Sequence, residues 1–289
     1  MTPLVASRMQ ILGAALLFST GGAAIKACSL TSWQVASFRS GLAAIALLLV
    51  LPASRRIWEP RTLLVGAAYA ATMVFYVGGN KLTTAANTIF LQSTAPLYVL
   101  LLGPWLLKER VRPPDLFLAA TLGIGMVTFF LGSEPPLATA PDPFRGNLLG
   151  ACAGVTWAST LLGLRWLGRP DAAGTEPAGA AVIAGNLIAC LVCLPFAFPV
   201  ESSRPLDWSI VAYLGLFQIG LAYVFVTRGV RRLPALEASL LLLSEPVLNT
   251  FWAWLIHAER PGPWSATGCA IVLVATLVGV VGRGRRQSG

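Results

Sequence analysis

Apolar residues run through this chain in long blocks broken by charge, proline or glycine, and nothing alternates with the period of two that a membrane barrel would show. Ten such blocks predict ten helices, at about 7–25, 33–51, 62–80, 87–107, 114–132, 146–165, 179–198, 208–227, 235–256 and 264–282. A span needs about 20 residues to cross roughly 30 Å of hydrocarbon, so ten spans take about 200 residues and leave only short connections. Helices are required because no backbone N–H or C=O can be left facing lipid. The first block follows a sparse basic segment, Arg8, and many more blocks come after it, so it is expected to be a retained helix rather than a cleaved signal peptide.

The longest gaps, about 133–144 and 166–178, are too short to fold alone and are expected to be loops. The basic residues between blocks divide unequally. Arg8, Arg55, Arg56, Arg61, Lys108, Arg110, Arg112, Arg165, Arg169, Arg228, Arg231, Arg232, Arg283, Arg285 and Arg286 fall on the side of the N-terminus, against Lys26, Lys81, Arg145, Arg204 and Arg260 on the other. Retained positive charge marks the cytoplasmic side, which predicts cytoplasmic N- and C-termini and an even number of spans.

Composition agrees with a membrane-embedded chain. Of 289 residues, 56% are hydrophobic and 11% charged, with a mean hydropathy of +0.72, whereas a soluble domain carries about 25% charged residues. The function must therefore sit within the membrane. The net charge of +9 does not imply nucleic acid, because the basic residues lie in the gaps and form no single patch. Four of the five cysteines, Cys152, Cys190, Cys193 and Cys269, lie inside apolar runs and are expected to pack as small hydrophobes, including the C-x-x-C of Cys190 and Cys193.

The chain repeats itself. TTAANTIFLQSTAPLYVLLLGPWLLKERVRP, residues 83–113, aligns without a gap against LPALEASLLLLSEPVLNTFWAWLIHAERPGP, residues 233–263. Pro96 then matches Pro246, Glu109 and Arg110 match Glu259 and Arg260, and Pro113 matches Pro263, all at one offset of 150. The starts of the halves agree more weakly, LGAALLFST at Leu12 with LGACAGVTWAST at Leu149. Two five-helix repeats, 1–138 and 139–289, follow; an odd number of helices makes the second copy enter from the opposite side, so the repeats are inverted. Inverted copies that exchange conformations open a central site first to one side and then to the other.

These residues resemble the drug/metabolite transporter superfamily, of the ten-helix EamA type. S-E-P-V-L around Glu245 followed by A-E-R-P, A-P-L-Y-V around Pro96 followed by K-E-R-V, and the F-R pair Phe38–Arg39 carry the resemblance, which extends over nearly the whole chain. It implies a secondary carrier exporting small metabolites, with aromatic and other neutral amino acids as the expected substrates. Another metabolite, an organic cation drug or a channel activity are the alternatives.

Polar groups deep in a membrane are expensive and need a reason. Glu245 stands halfway along the ninth helix, before Pro246, and its repeat counterpart is Ala95. It is either a cavity carboxylate for a substrate ammonium or proton, or a packing feature beside the proline kink. The expected substrate site comprises Ser19, Tyr76, Asn80, Thr88, Gln92, Trp157, Tyr223, Ser244 and Glu245. Thr88 with Gln92, and Tyr76 with Asn80, are four apart and so share a helix face. Arg39, about six residues into its helix, is expected to snorkel to the interface. Glu109, Arg110, Glu259 and Arg260 are expected to cap the next helix and pair with one another. Tyr98, Trp105, Trp166, Trp208 and Trp264 should anchor at the interfaces. Gly13, Gly66, Gly123, Gly125 and Gly150 should allow close helix packing.

An intramembrane enzyme would need paired carboxylates, a serine with a histidine, or a metal cluster. One histidine, His257, and one deep carboxylate are a poor inventory, so no catalytic residue, metal or cofactor is expected. The expected partners are a small-molecule substrate and the lipid bilayer, with the protein a monomer. Eighteen arginines against three lysines hint at a GC-rich bacterial genome, and hence at a multi-pass protein of the inner membrane.

Overall fold

Prolines open many of the helices, since the first helical position has no acceptor for an N–H and favours a preset φ. A computed structural model describes residues 3–51, 57–107, 113–131, 136–167, 177–229, 241–242 and 244–287. In chain order its helices are α1 (Pro3–Ser19), α2 (Gly21–Ala27), α3 (Ser32–Val50), α4 (Pro60–Leu82), α5 (Ala85–Gln92), α6 (Ala95–Leu107), α7 (Pro113–Leu131), α8 (Pro143–Leu167), α9 (Pro177–Ala197), α10 (Pro205–Tyr213), α11 (Ala222–Gly229), α12 (Ser244–His257) and α13 (Pro263–Gln287). A π-helical stretch, Leu214–Leu221, joins α10 to α11. Where proline is not used, side chains cap: Thr31 Oγ1 accepts from Gln34 N (3.2 Å) while Gln34 Oε1 accepts from Thr31 N (2.9 Å), a reciprocal box at the start of α3.

Among the described residues, eight apolar helical segments are long enough to cross a bilayer: Leu4–Ala27, Ser32–Val50, Pro60–Leu82, Ala85–Leu106, Pro113–Leu131, Pro143–Leu164, Pro177–Ala197 and Pro205–Val226. They coincide with the first eight expected helices. A shorter apolar stretch, Pro263–Gly279, and the 14-residue α12 stand where the last two are expected, and the start of the ninth lies outside the described residues, as do Lys108, Glu109, Arg110, Arg112 and residues 168–176. Of the expected 133–144 loop, Leu137 and Ala140 exchange two backbone hydrogen bonds in a tight turn, and Asp142 N donates to Leu82 O (3.0 Å).

Small residues set the helix packing. A methyl on Gly66 would stand 3.0 Å from Gly185 N, and one on Gly185 would stand 2.7 Å from Gly66 O, so α4 and α9 cross with their backbones nearly touching. Gly13, Gly125 and Gly150 likewise meet side chains of other helices, but Gly123 has nothing within 4 Å of its missing Cβ. The packing role expected of Gly123 is therefore wrong; it faces away from the bundle. Large apolar side chains cover the outside, among them Leu49, Trp105 and Phe117, as they must where the surrounding solvent is hydrocarbon. Tyr98 departs from its expected anchoring: its hydroxyl lies 3.1 Å from the Met126 thioether, inside the fold.

One end of the bundle is tied by buried polar groups. Lys26, at the end of α2, pairs with Glu259 at 2.8 Å, and both side chains are almost fully enclosed, 2% and 3% exposed. Lys26 Nζ also donates to Thr83 O (2.7 Å) and to Thr139 O. Glu259 Oε2 accepts from Ala85 N (3.0 Å), the first N–H of α5. The capping expected of Glu259 thus exists, but it serves α5 rather than the next helix, and its cation is Lys26 rather than Arg260, whose side chain is exposed. The folded chain brings the ends of α2, α5 and α12 together, and the fully enclosed ammonium outcompetes a solvated guanidinium. Around this pair, Asn147 Oδ1 accepts from Thr83 Oγ1 (2.8 Å) and Asn87 Nδ2 (3.1 Å), while Asn147 Nδ2 donates to Phe129 O (2.8 Å). Nearby, Asp207 accepts from Ser29 N (2.7 Å), Ser29 Oγ (2.5 Å) and Arg204 N (2.8 Å).

Removing one member of a buried pair leaves an uncompensated charge, which costs about 3–5 kcal/mol, whereas replacing both with apolar groups of similar size is far milder. Glu259→Ala should therefore lower the melting temperature in detergent more than Lys26→Met combined with Glu259→Leu. Thermal unfolding of the two variants beside wild type measures this; an equal loss in the single and the double variant would contradict the pairing.

Candidate functional site

Toward the middle of the bundle the packing opens into a cavity of about 340 Å³. Its walls come from α1, α3, α4, α5, α6, α8, the π-helical stretch, α11, α12 and α13, so the site is assembled from both halves of the chain. A volume of this order, mostly apolar with a few polar groups, is typical of a small-molecule site.

Aromatic rings form much of the wall. Phe18 meets Tyr223 edge to face at 5.4 Å, and Tyr223 meets Tyr69 in the same manner at 5.9 Å, a continuous run across α1, α11 and α4. Tyr76 and Trp157 line the same space. Two of the tyrosines are held from behind by amides: Asn249 Nδ2 donates to the Tyr76 hydroxyl (3.2 Å), and Asn186 Nδ2 donates to the Tyr69 hydroxyl (3.3 Å) and to Val182 O (2.9 Å). Edge-to-face packing and these donors keep the rings in place, so the cavity is a shaped surface rather than a loose gap.

Among the expected site residues, Tyr76, Gln92, Trp157, Tyr223 and Glu245 line the cavity. Glu245 stands on α12 directly before Pro246, and both line the cavity. No hydrogen-bond or ion-pair partner of its carboxyl is found among the described residues. Gln92 Oε1 is buried without a protein partner.

Ser19, Asn80, Thr88 and Ser244 do not line the cavity. Their polar groups are spent on packing: Ser19 Oγ donates to Leu16 O (2.7 Å) and accepts from Trp252 Nε1 (3.1 Å). Asn80 Nδ2 donates to Tyr76 O (2.9 Å), Thr88 Oγ1 to Thr84 O (3.2 Å) and Ser244 Oγ to Leu241 O (2.6 Å). The two expected polar stripes are each split by depth. Residues four apart are about 6 Å apart along the axis, so Tyr76 and Gln92 reach the cavity while Asn80 and Thr88 fall in the packed layer next to it. In that layer the Asn80 and Asn249 carbonyl oxygens converge on the Cα of Gly22, where an added Cβ would meet them at 3.0 and 2.5 Å.

Several residues reach the cavity that the sequence reading did not assign to it. Tyr69, Met73, Phe18 and Gln218 line it. Gln218 lies in the π-helical stretch, whose extra residue per turn redirects side chains in a way no apolar periodicity reveals. The larger correction concerns Arg39. It does not snorkel: the side chain is 1% exposed and lines the cavity. α4 and α9 flank α3 on the route to the interface, and seven residues of helix, about 10 Å, separate Arg39 from the start of α3. Its high cost of burial was the available signal that it serves the site.

A bundle of apolar helices around a partly polar cavity defines the class: a polytopic membrane protein. The chain belongs to the EamA-like transporter family, which matches residues 8–131 and 144–281, and through it to the drug/metabolite transporter superfamily. Among curated relatives it is similar to the aromatic amino acid exporter YddG of Ancylobacter novellus, with 25% identity over 209 residues, 71% of each chain. Among solved structures, a crystal structure with 20% sequence identity superposes with a TM-score of 0.63 and covers 99% of both chains, which supports the fold.

If the cavity is the substrate chamber, filling it must stop transport without unfolding the bundle. Leu161→Trp, which adds an indole from the α8 wall, should retain helix content by circular dichroism and lose transport by at least tenfold. Unimpaired transport in a folded Leu161→Trp protein would move the substrate path elsewhere.

Proposed function

We propose that this transporter exports amino acids, aromatic and other neutral ones, across a bacterial inner membrane by alternating access. The observation that carries the reading is the combination of Glu245, a carboxylate without a partner among the described residues, with the aromatic wall of Tyr69, Tyr76, Trp157 and Tyr223 in one cavity. A substrate ammonium supplies the charge that Glu245 lacks, and the rings take up an apolar or aromatic side chain and add cation–π attraction to the amine. The family membership and the relative named as an aromatic amino acid exporter support the same assignment. Gln92 and Gln218, each with a carbonyl oxygen lacking a protein partner, add polar groups beside it.

In this reading ten helices form two inverted repeats, 1–138 and 139–289, and both termini are cytoplasmic. Substrate enters from the arginine-rich side, and rearrangement of the halves exposes the cavity at the Lys26–Glu259 end. The family's transport role and the 150-residue internal offset support this arrangement. Single cysteines placed at position 61 and at position 260, in a background lacking the native cysteines, should label from opposite sides of the membrane with an impermeant maleimide. Labelling of both from one side would overturn the inverted topology.

Counterflow in liposomes tests the substrate. Saturable exchange of labelled phenylalanine or another neutral amino acid by wild type, lost at least tenfold in Glu245→Gln, is the expected result; running it with and without a proton gradient reads whether Glu245 also carries a proton. Exchange of organic cations but no amino acid would replace the substrate class, and full activity of Glu245→Gln would remove that residue from the site.

A further inference from the structure

The cavity also holds a cation, Arg39, for which no counter-charge within ion-pair distance is found among the described residues. Arg39 is 1% exposed, yet its Nε has no hydrogen-bond partner among the described residues. Among the described residues, its Nη2 reaches only Met73 O at 3.4 Å and the Met73 thioether at 3.6 Å, both long and neither charged. No carboxylate among the described residues lies within ion-pair distance of it, Glu245 included. A guanidinium offers five donors in a fixed fork, and burying it with so few acceptors is costly unless something else completes the set. The neighbours on the cavity wall, Tyr69, Tyr76 and Tyr223, bring hydroxyls and ring faces but no negative charge.

We infer that Arg39 is the carboxylate-binding residue of the substrate site, so that the cavity recognises a free α-carboxylate as well as an amine. This deepens the amino-acid reading above and rests on it. A carboxylate matches the guanidinium fork with two parallel hydrogen bonds and supplies the acceptors that Met73 cannot. Arg39 and Glu245 line one small cavity without pairing with each other, so each is left to bind the opposite charge of a single zwitterion. Occupied, the chamber carries no net charge beyond that of its own two groups, which keeps the electrostatic cost of moving a zwitterion through the membrane low. Compounds lacking the carboxylate, such as simple amines, lose the Arg39 contact and are discriminated against.

The test is calorimetric binding to the purified full-length protein, using phenylalanine, phenethylamine, which lacks the carboxylate, and 3-phenylpropionate, which lacks the amine. Arg39→Gln should weaken phenylalanine and 3-phenylpropionate by roughly ten- to a hundredfold, the range for a lost charged hydrogen bond, and leave phenethylamine unchanged. The phenylalanine-to-phenethylamine preference then collapses, a ratio that a general loss of folded protein does not alter. Arg39→Lys keeps the charge without the fork and should fall between; it carries the same readout should Arg39→Gln not fold. Glu245→Gln should show the mirror pattern, weakening phenethylamine and phenylalanine and sparing 3-phenylpropionate. Equal weakening of all three ligands by Arg39→Gln, or of none, overturns the assignment. Wild type that binds 3-phenylpropionate through Arg39 but not phenylalanine overturns the amino-acid reading and leaves the Arg39 assignment standing. Wild type that binds phenethylamine alone overturns the Arg39 assignment and moves the site to organic cations; binding of none of the three overturns both.

Discussion

Hydrocarbon offers no hydrogen bonds, so a polar group inside this bundle is satisfied by the protein, by a ligand, or not at all. That constraint sorts the side chains. At the Lys26 end, a lysine, a glutamate, threonines and asparagines from helices far apart in sequence satisfy one another almost completely. Toward the middle, Arg39, Gln92 and Gln218 retain buried atoms with no protein partner, and all three line the same cavity. Buried oxygens without a hydrogen-bond partner among the described residues also occur outside the cavity, at Ser40, Asn80, Asn87, Asn186 and Asn249, so these three are singled out by lining the chamber and not by lacking a partner alone.

The dense network at one end and the chamber beside it are physically linked. Helices break along this path: α1 gives way to α2 at Thr20, and α5 to α6 at Ser93 and Thr94, where Ser93 itself lines the cavity. Each interruption frees backbone groups that side chains then meet, as when the Thr20 hydroxyl bonds to Leu17 O (2.7 Å) and shares a hydrogen bond with the Tyr213 hydroxyl (2.8 Å). Gly22, against Asn249, Ala85 and Asn80, leaves no room for a side chain in the layer next to the chamber.

The chamber's electrostatics are sparse and hence informative. One guanidinium and one carboxylate stand among aromatic and aliphatic walls, and neither has an ion-pair partner among the described residues. Elsewhere the protein pairs its buried charges, as Lys26 with Glu259 shows, so two unpaired ones in a single cavity are not a general habit of the fold.

The sequence alone determined that the chain is a helical membrane protein, because block length and the scarcity of charge follow from the thickness of hydrocarbon and the need to satisfy the backbone. It also singled out Glu245, Tyr76, Trp157, Tyr223 and Gln92, since a polar or amphipathic group deep in an apolar run has few reasons to be there. Tertiary structure alone decided which polar residues are consumed by packing. Asn80 and Thr88 look the same in sequence as their cavity-facing neighbours, and only the position of the next helix shows that they lie one turn too far along. It likewise decided Arg39, whose distance from a helix end suggested an escape to the interface that α4 and α9 close off, and Glu259, whose partners Lys26 and Ala85 come from the other half of the chain. Local pattern reports depth and face; who meets whom across the bundle is a property of the packed whole.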